Sequence, residues 1–324
     1  MKAIRVHAHG GPEQLRVDDG VPVTEPAAGE IRIRTEVIGV NYVDVHHRQG
    51  VFPVPLPFVP GMDAVGTVDA VGPGVTQPAV GDRVVYGEVP GAYAEFVTVP
   101  ARLAAVVPDR LDSGVAAAAM LQGLTAHYLA HDSHRIIKDQ VVVVHAAAGG
   151  VGQFLVQFAK RAGAHVIGTV STDEKAELIA DLGADTVVRY DREDFREAVR
   201  LVTDGAGADA VYDSVGKPTF LDGLDSLRPR GTLVVYGRAG GAPDPIDPFL
   251  LVRKGSLRLT WPSLADHVRT REEFTARADD IFAGLLDGTL RARIDREYDF
   301  ADAPAAHTHL ESRAGLGKIL LRHP

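Results

Sequence analysis

No cysteine occurs anywhere in the chain. That absence excludes disulfides, a thiolate nucleophile and every zinc site built on cysteine, and it suits a reducing compartment, so a cytoplasmic location is expected. No apolar run approaches the ~20 residues that span a bilayer, and no membrane partner is expected. The opening Met1-Lys-Ala-Ile-Arg-Val alternates like a strand and lacks the apolar segment of a secretion signal. Positive charge is in deficit: 34 lysines and arginines stand against 43 acids, for a net charge of −9 without a basic tract. Nucleic acid is therefore not an expected partner. No Gly-x-Ser-x-Gly elbow is present, so hydrolysis has no support. The remaining composition, 45% hydrophobic and 24% charged over 324 residues, suits a globular protein with room for two domains.

The most informative stretch is Val141-Val-Val-Val-His-Ala-Ala-Ala-Gly-Gly-Val-Gly152. Four valines predict a strand buried on both faces, and it ends in the small-residue turn Ala147-x-Gly149-x-x-Gly152. Val151, Phe154, Leu155, Phe158, Ala159 and Ala162 then recur at helical spacing until Gly163. Strand, glycine turn and helix together are the dinucleotide fingerprint: the backbone approaches the pyrophosphate closely, and the helix N-terminus faces its charge. Ala148, Gly149, Gly150 and Val151 are the expected contacts.

The next strand, His165–Val170, selects the dinucleotide. An NAD enzyme usually ends this strand on an acid that accepts from the ribose hydroxyl. Here the slot holds Val170 and Ser171, and Lys175 follows one helical turn later, within reach of a 2′-phosphate. This favours NADPH, although Asp173 and Glu174 add negative charge nearby. The plainer reading is that Ser171 caps a helix, with Glu174 completing a capping box.

Short alternating runs such as Glu30–Val37, broken by Gly/Pro turns, predict an all-β region up to about residue 120. Six strand candidates then alternate with helices: 141–144, 165–170, 186–189, 209–212, 232–236 and 256–260. That pattern predicts a doubly wound parallel sheet. A helix at 272–286 and strands at 294–300 and 318–322 are expected to return to the N-terminal domain. The predicted division is 1–122 with 262–324, and 123–261.

Several separate motifs resemble the zinc-free quinone oxidoreductases of the medium-chain dehydrogenase/reductase superfamily. They are Gly39-Val-Asn-Tyr-Val-Asp44, Gly61-Met-Asp-Ala-Val-Gly66, Ala79-Val-Gly-Asp-Arg-Val-Val85, Gln122-Gly-Leu-Thr-Ala126, His145–Gly152, Val211-Tyr-Asp-Ser-Val-Gly216 and Glu311-Ser-Arg-Ala314. The resemblance implies an α/β protein with a GroES-like β-rich catalytic domain, a Rossmann domain and a homodimeric assembly. Zinc-dependent relatives place a cysteine where this chain has Asn41 and a histidine where it has Met62, and neither replacement is a good zinc ligand. No metal is expected.

The resemblance also implies roles. Asn41 lies beside the nicotinamide and donates to the acceptor's developing oxyanion, with Tyr42 and Asp44 of the same motif among the cofactor contacts. Thr125 approaches the cofactor from the start of a helix. Lys175 and Tyr190 hold the 2′-phosphate, with Ser171 beside them. Val215, Tyr236, Gly237, Arg238 and Arg313 complete the cofactor contacts. Three departures bear on the acceptor: His46 and Phe52 stand where bacterial quinone reductases usually carry tyrosines, and Trp261 where an arginine is common. His46 is a candidate proton relay because an ordinary imidazole titrates near neutrality.

The expected activity is direct hydride transfer from NADPH to a quinone. Reduction of a conjugated double bond in an enone or acyl thioester is the alternative. An NADPH-binding sensor or structural protein is the non-enzymatic one.

Overall fold

The computed structural model describes residues 1–323, and the chain divides into two compact units. One is Met1–Leu124 with His267–Pro324, and the other is Thr125–Asp266. In chain order the strands are β1 (Ala3–Val6), β2 (Leu15–Asp18), β3 (Glu30–Val40), β4 (Asp63–Val71), β5 (Arg83–Gly87), β6 (Phe96–Pro100), β7 (Ala104–Val106), β8 (Val141–Val144), β9 (His165–Val170), β10 (Thr186–Arg189), β11 (Ala208–Asp213), β12 (Leu227–Val235), β13 (Arg258–Thr260), β14 (Ile294–Asp299) and β15 (Lys318–Arg322). The helices are α1 (Tyr42–Arg48), α2 (Ser113–Tyr128), α3 (Gly150–Arg161), α4 (Asp173–Asp181), α5 (Phe195–Val202), α6 (Phe220–Asp225), α7 (Phe249–Arg253), α8 (Leu264–His267), α9 (Arg271–Asp287) and α10 (Ala303–Glu311).

The first unit is built on a sheet ordered β14-β15-β3-β4-β5-β7, with β6 also pairing β3. β3 shows why this sequence makes a half-buried strand: Ile31, Ile33, Thr35 and Val37 alternate inward while the charged residues between them face out. Its inner face joins Ile4, Val40, Tyr86, Tyr93 and Leu321 in one core. β15 pairs antiparallel with β3, Ile319 opposite Val40, so the C-terminal strand completes the N-terminal sheet.

This region is not purely β. The chain leaves β3 at Val40 and turns at once into α1, because Asp44 reaches back to accept the Asn41 backbone N–H at 2.8 Å. Such a reach from the third helical residue is half of a capping box, and it starts a helix that hydrophobic spacing alone does not announce.

In the second unit, a six-stranded sheet runs in the order β10-β9-β8-β11-β12-β13, all parallel. Numbered from β8, this is 3-2-1-4-5-6, and the winding reverses between β8 and β11. Ligands of such sheets bind beyond the carboxyl ends of the strands at that reversal. Val142, Val143 and Val144 are fully buried, as a central parallel strand requires.

Candidate functional site

The residues expected at the pyrophosphate and the 2′-phosphate lie at the carboxyl ends of the second unit's strands. β8 runs into the turn 145–149, where Ala146 adopts a left-handed φ of 50°. Gly149 is the N-cap of α3 and has no side chain to cap it, an arrangement suited to receive an anion at the first N–H groups of α3. Gly152 permits the tight return: a Cβ there would lie 2.5 Å from the Ala146 carbonyl oxygen. The turn thus has the shape and polarity of a pyrophosphate cradle, with Ala148 buried and Gly149 exposed.

At the end of β9, Lys175 Nζ lies 3.4 Å from Ser171 Oγ. The Tyr190 N–H donates to the Val170 carbonyl at 3.2 Å, which sets Tyr190 beside this pair with its side chain exposed. The helix cap differs from expectation. Thr172, not Ser171, is the N-cap of α4 and accepts the Lys175 N–H at 3.2 Å. Ser171 is one residue too early to cap, which leaves its hydroxyl beside the lysine. Asp173 is ion-paired with Arg189, which also binds Asp191 at 2.9 Å. The acid next to Lys175 is therefore partly compensated.

Val215 and Tyr236–Arg238 follow the ends of β11 and β12. Asp213 shapes the first loop by accepting the N–H groups of Val215 at 2.7 Å and Gly216 at 3.1 Å, and the Thr219 hydroxyl at 2.8 Å. A Cβ at Gly237 would lie 2.8 Å from the Ser214 carbonyl oxygen, so the two loops touch only because that residue is glycine. Thr125 lies in the last turn of α2 and not at a helix start, since α2 is one continuous helix from Ser113 to Tyr128. Trp261 follows the edge strand β13 and is exposed.

The first unit holds a buried polar cluster centred on Asn41. Its Oδ1 accepts from Lys318 Nζ at 2.6 Å and from Gln122 Nε2 at 2.7 Å. Its Nδ2 donates to Asp63 Oδ1 at 2.5 Å and to the Gly39 carbonyl at 3.2 Å. All four hydrogen-bonding capacities of the carboxamide are thus used within the unit. Both Asn41 Nδ2 protons are engaged in these bonds. Lys318 also donates to Asp63 Oδ2 at 3.1 Å and Gln122 Oε1 at 3.0 Å. Burial holds the ammonium below its usual pKa, opposed by the charge and hydrogen bond of Asp63.

Asp44 is fully buried. Its second neighbour is the Tyr93 hydroxyl at 3.4 Å, which lies 3.0 Å from His307 Nε2. Arg48 Nη1, a donor only, lies 3.0 Å from His307 Nδ1. His307 must accept there, so its Nε2–H donates to Tyr93 and the Tyr93 hydroxyl is left to donate to Asp44.

The outer face of α1 differs in character. Tyr42 and His46, one turn apart, meet edge-on with ring centroids 5.2 Å apart, and His46 meets Phe52 the same way at 5.0 Å. These three rings form a half-exposed aromatic surface. Arg313 is exposed in the turn after α10, with a left-handed φ of 59°.

Comparison with known proteins fits both halves. Residues 27–109 match the alcohol dehydrogenase GroES-like domain, and residues 150–276 match the zinc-binding dehydrogenase domain. A quinone oxidoreductase of Pseudomonas aeruginosa is 41% identical over 322 residues, covering 99% of each chain. The chain belongs to the quinone oxidoreductase family. A 2-haloacrylate reductase of a Burkholderia species is also 41% identical, over 98% of this chain and 97% of its own. A mycobacterial protein solved with NADPH superposes with a TM-score of 0.96 at 48% identity, over 99% of this chain and all of the other.

Within this oxidoreductase fold, Ser171, Lys175 and Tyr190, expected together, lie in one place, and His46 and Phe52 in another, where Tyr42, expected among the cofactor contacts, joins them. Sequence reading missed Asp63, Gln122 and Lys318. The first two sit inside motifs already singled out, beside Met62 and before Gly123. Lys318 sits in a terminal strand, 277 residues from Asn41, and no local pattern marks it.

Proposed function

We propose that this protein is an NADPH-dependent quinone oxidoreductase in which hydride passes directly from cofactor to acceptor. When bound, NADPH supplies the hydride from its nicotinamide C4. The observation that carries the reading is the pairing of an uncapped α3 N-terminus after the glycine turn with Ser171, Lys175 and Tyr190 at the end of β9. The α3 N-terminus holds the pyrophosphate through backbone N–H groups, and Lys175 supplies a charged donor for a 2′-phosphate. Val215, Tyr236, Gly237 and Arg238 line the route from that cradle.

On the acceptor side, Tyr42, His46 and Phe52 offer flat surfaces that suit a planar ring. His46 is the candidate proton donor, since Asn41 has no proton to spare. Asn41 acts as part of the frame. In that role the protein supplies position and electrostatics, the usual share of the protein in cofactor chemistry.

A second reading rests on the 2-haloacrylate reductase relative: the same hydride delivered to an activated carbon–carbon double bond. Purified protein with NADPH or NADH, tested against an ortho-quinone and a linear enone, separates the readings. NADPH consumption with the quinone supports the proposal, and consumption with the enone alone supports double-bond reduction. Tight NADPH binding without turnover supports a sensor.

We further propose a cytoplasmic homodimer. β13 is an edge strand, and Phe249, Val252, Leu259 and Trp261 around it are exposed apolar residues that pairing with a second copy would cover. Equilibrium sedimentation tests the dimer.

A further inference from the structure

Metal-dependent relatives set a cysteine at the position of Asn41 and a histidine at that of Met62. In this chain the cation beside Asn41 is organic. Lys318 Nζ has three protons and meets three oxygens: Asn41 Oδ1 at 2.6 Å, Gln122 Oε1 at 3.0 Å and Asp63 Oδ2 at 3.1 Å. Those oxygens come from the residue between β3 and α1, from α2 and from β4, while the ammonium comes from β15. Lys318 is 4% exposed and Asp63 is fully buried. A buried ammonium with every proton satisfied is a built arrangement, because an unpaired charge there would be too costly to keep.

The cluster is cyclic. Gln122 accepts from Lys318 and donates to Asn41, while Asp63 accepts from both Asn41 and Lys318. No amide flip is tolerated: turning Asn41 over would aim its NH2 at the ammonium and its oxygen at the carboxylate. Gly39 completes the fit, since a Cβ there would lie 2.3 Å from Asp63 Oδ2. Asn41 is in turn the residue from which α1 starts, and α1 carries Tyr42 and His46.

We propose that Lys318 is a positioning residue for the reaction, an internal ammonium that takes over the organising role of a metal ion by locking the Asn41 carboxamide and, through it, the start of α1. This rests on the acceptor being handled by the face of α1, as proposed above. Lys318 touches neither acceptor nor cofactor in this account; it acts through Asn41. NADPH affinity, set by the second unit, is independent of it.

The absence of cysteine supplies a clean test. Lys318→Cys carries the only thiol in the chain, and alkylating it in the unfolded state with 2-bromoethylamine rebuilds a side chain of lysine length that ends in an ammonium. Iodoacetamide gives a neutral chain of similar length. Unsubstituted protein is carried through the same unfolding and refolding. Two readouts follow: amide hydrogen exchange at Asn41–Asp44, which needs no acceptor, and kcat, KM and the NADPH Kd with an ortho-quinone.

Loss of charged hydrogen bonds predicts exchange about tenfold faster and kcat about tenfold lower in Lys318→Cys, with the NADPH Kd unchanged. Aminoethylation restores both readouts and the neutral adduct neither. Equal rescue by the two adducts, or no loss in Lys318→Cys, overturns the proposal. The pair Lys318→Met/Asp63→Asn decides the matter if refolding fails. It removes both charges together, and the proposal expects stability to return without kcat. Recovery of kcat would reduce Lys318 to a counter-ion for Asp63. If unsubstituted protein does not turn over quinone, the functional reading fails, and hydrogen exchange still decides the role of Lys318.

Discussion

Asp44 Oδ2 holds the Asn41 backbone N–H at 2.8 Å, while no hydrogen bond among the described residues reaches Asp44 Oδ1. The carboxyl is therefore buried and only half satisfied. Burial pushes it up to about 7; the Asn41 N–H and Lys318 oppose the rise and Asp63 adds to it. A raised carboxyl keeps a proton that the unfolded chain releases. Its stabilising contribution is complete below the unfolded value of 3.8 and is lost as pH rises through about 7.

Asp44→Asn keeps an acceptor for the Asn41 N–H and cannot ionise. Relative to wild type it gains stability with rising pH, on the order of 4 kcal/mol across that window. Urea unfolding of both proteins at about pH 4.5 and about pH 8 checks this, and parallel pH profiles would contradict it.

His307 works in the opposite sense. Burial and then the Arg48 charge hold it down to about 3, so its contribution is complete above the unfolded value of 6.5 and is lost as pH falls toward 3. Tyr93→Phe removes the acceptor for the His307 Nε2–H and leaves that donor buried and unpaired. A loss of about 2 kcal/mol is expected, with NADPH binding unchanged. Thermal unfolding with a parallel binding titration reads both.

Gly39→Ala is expected to act at the reaction centre without touching any ligand. The added methyl would drive Asp63 off Asn41 and Lys318. Breaking a buried ion pair in place costs about 3–5 kcal/mol, so expression at low temperature, reduced unfolding midpoint and depressed quinone turnover are expected together. Turnover and stability matching wild type would show that the cluster is not tightly packed.

Lys175→Ala tests the cofactor side. A hydrogen bond to a charged group contributes about 1.5–3 kcal/mol, so KM for NADPH is expected to rise tenfold or more. KM for NADH, which lacks the 2′-phosphate, should stay constant. Equal changes for both cofactors would remove Lys175 from the phosphate site.

What was legible in the sequence was what repeats locally. Valine runs and glycine turns marked β8 to β10 at their observed bounds, because buried parallel strands need apolar residues on both faces. β11 to β13 were found with their ends shifted, by as much as five residues at the start of β12. The short helix α1 escaped, since it depends on one side chain, Asp44, reaching back to Asn41. Thr125 was expected at a helix start, yet α2 runs through it, with Gly123 packed against Ile281. The ring around Lys318 was invisible for a different reason: its partners lie 196 to 277 residues away, and only the pairing of β15 with β3 brings them together.

The central claim, direct hydride transfer from NADPH to a quinone, is tested most directly with NADPH deuterated at nicotinamide C4. The account predicts slower ortho-quinone reduction with the deuterated cofactor, and the same rates before and after dialysis against a metal chelator. Turnover that ignores the deuterium in single-turnover mixing, or that disappears with the chelator, would contradict it.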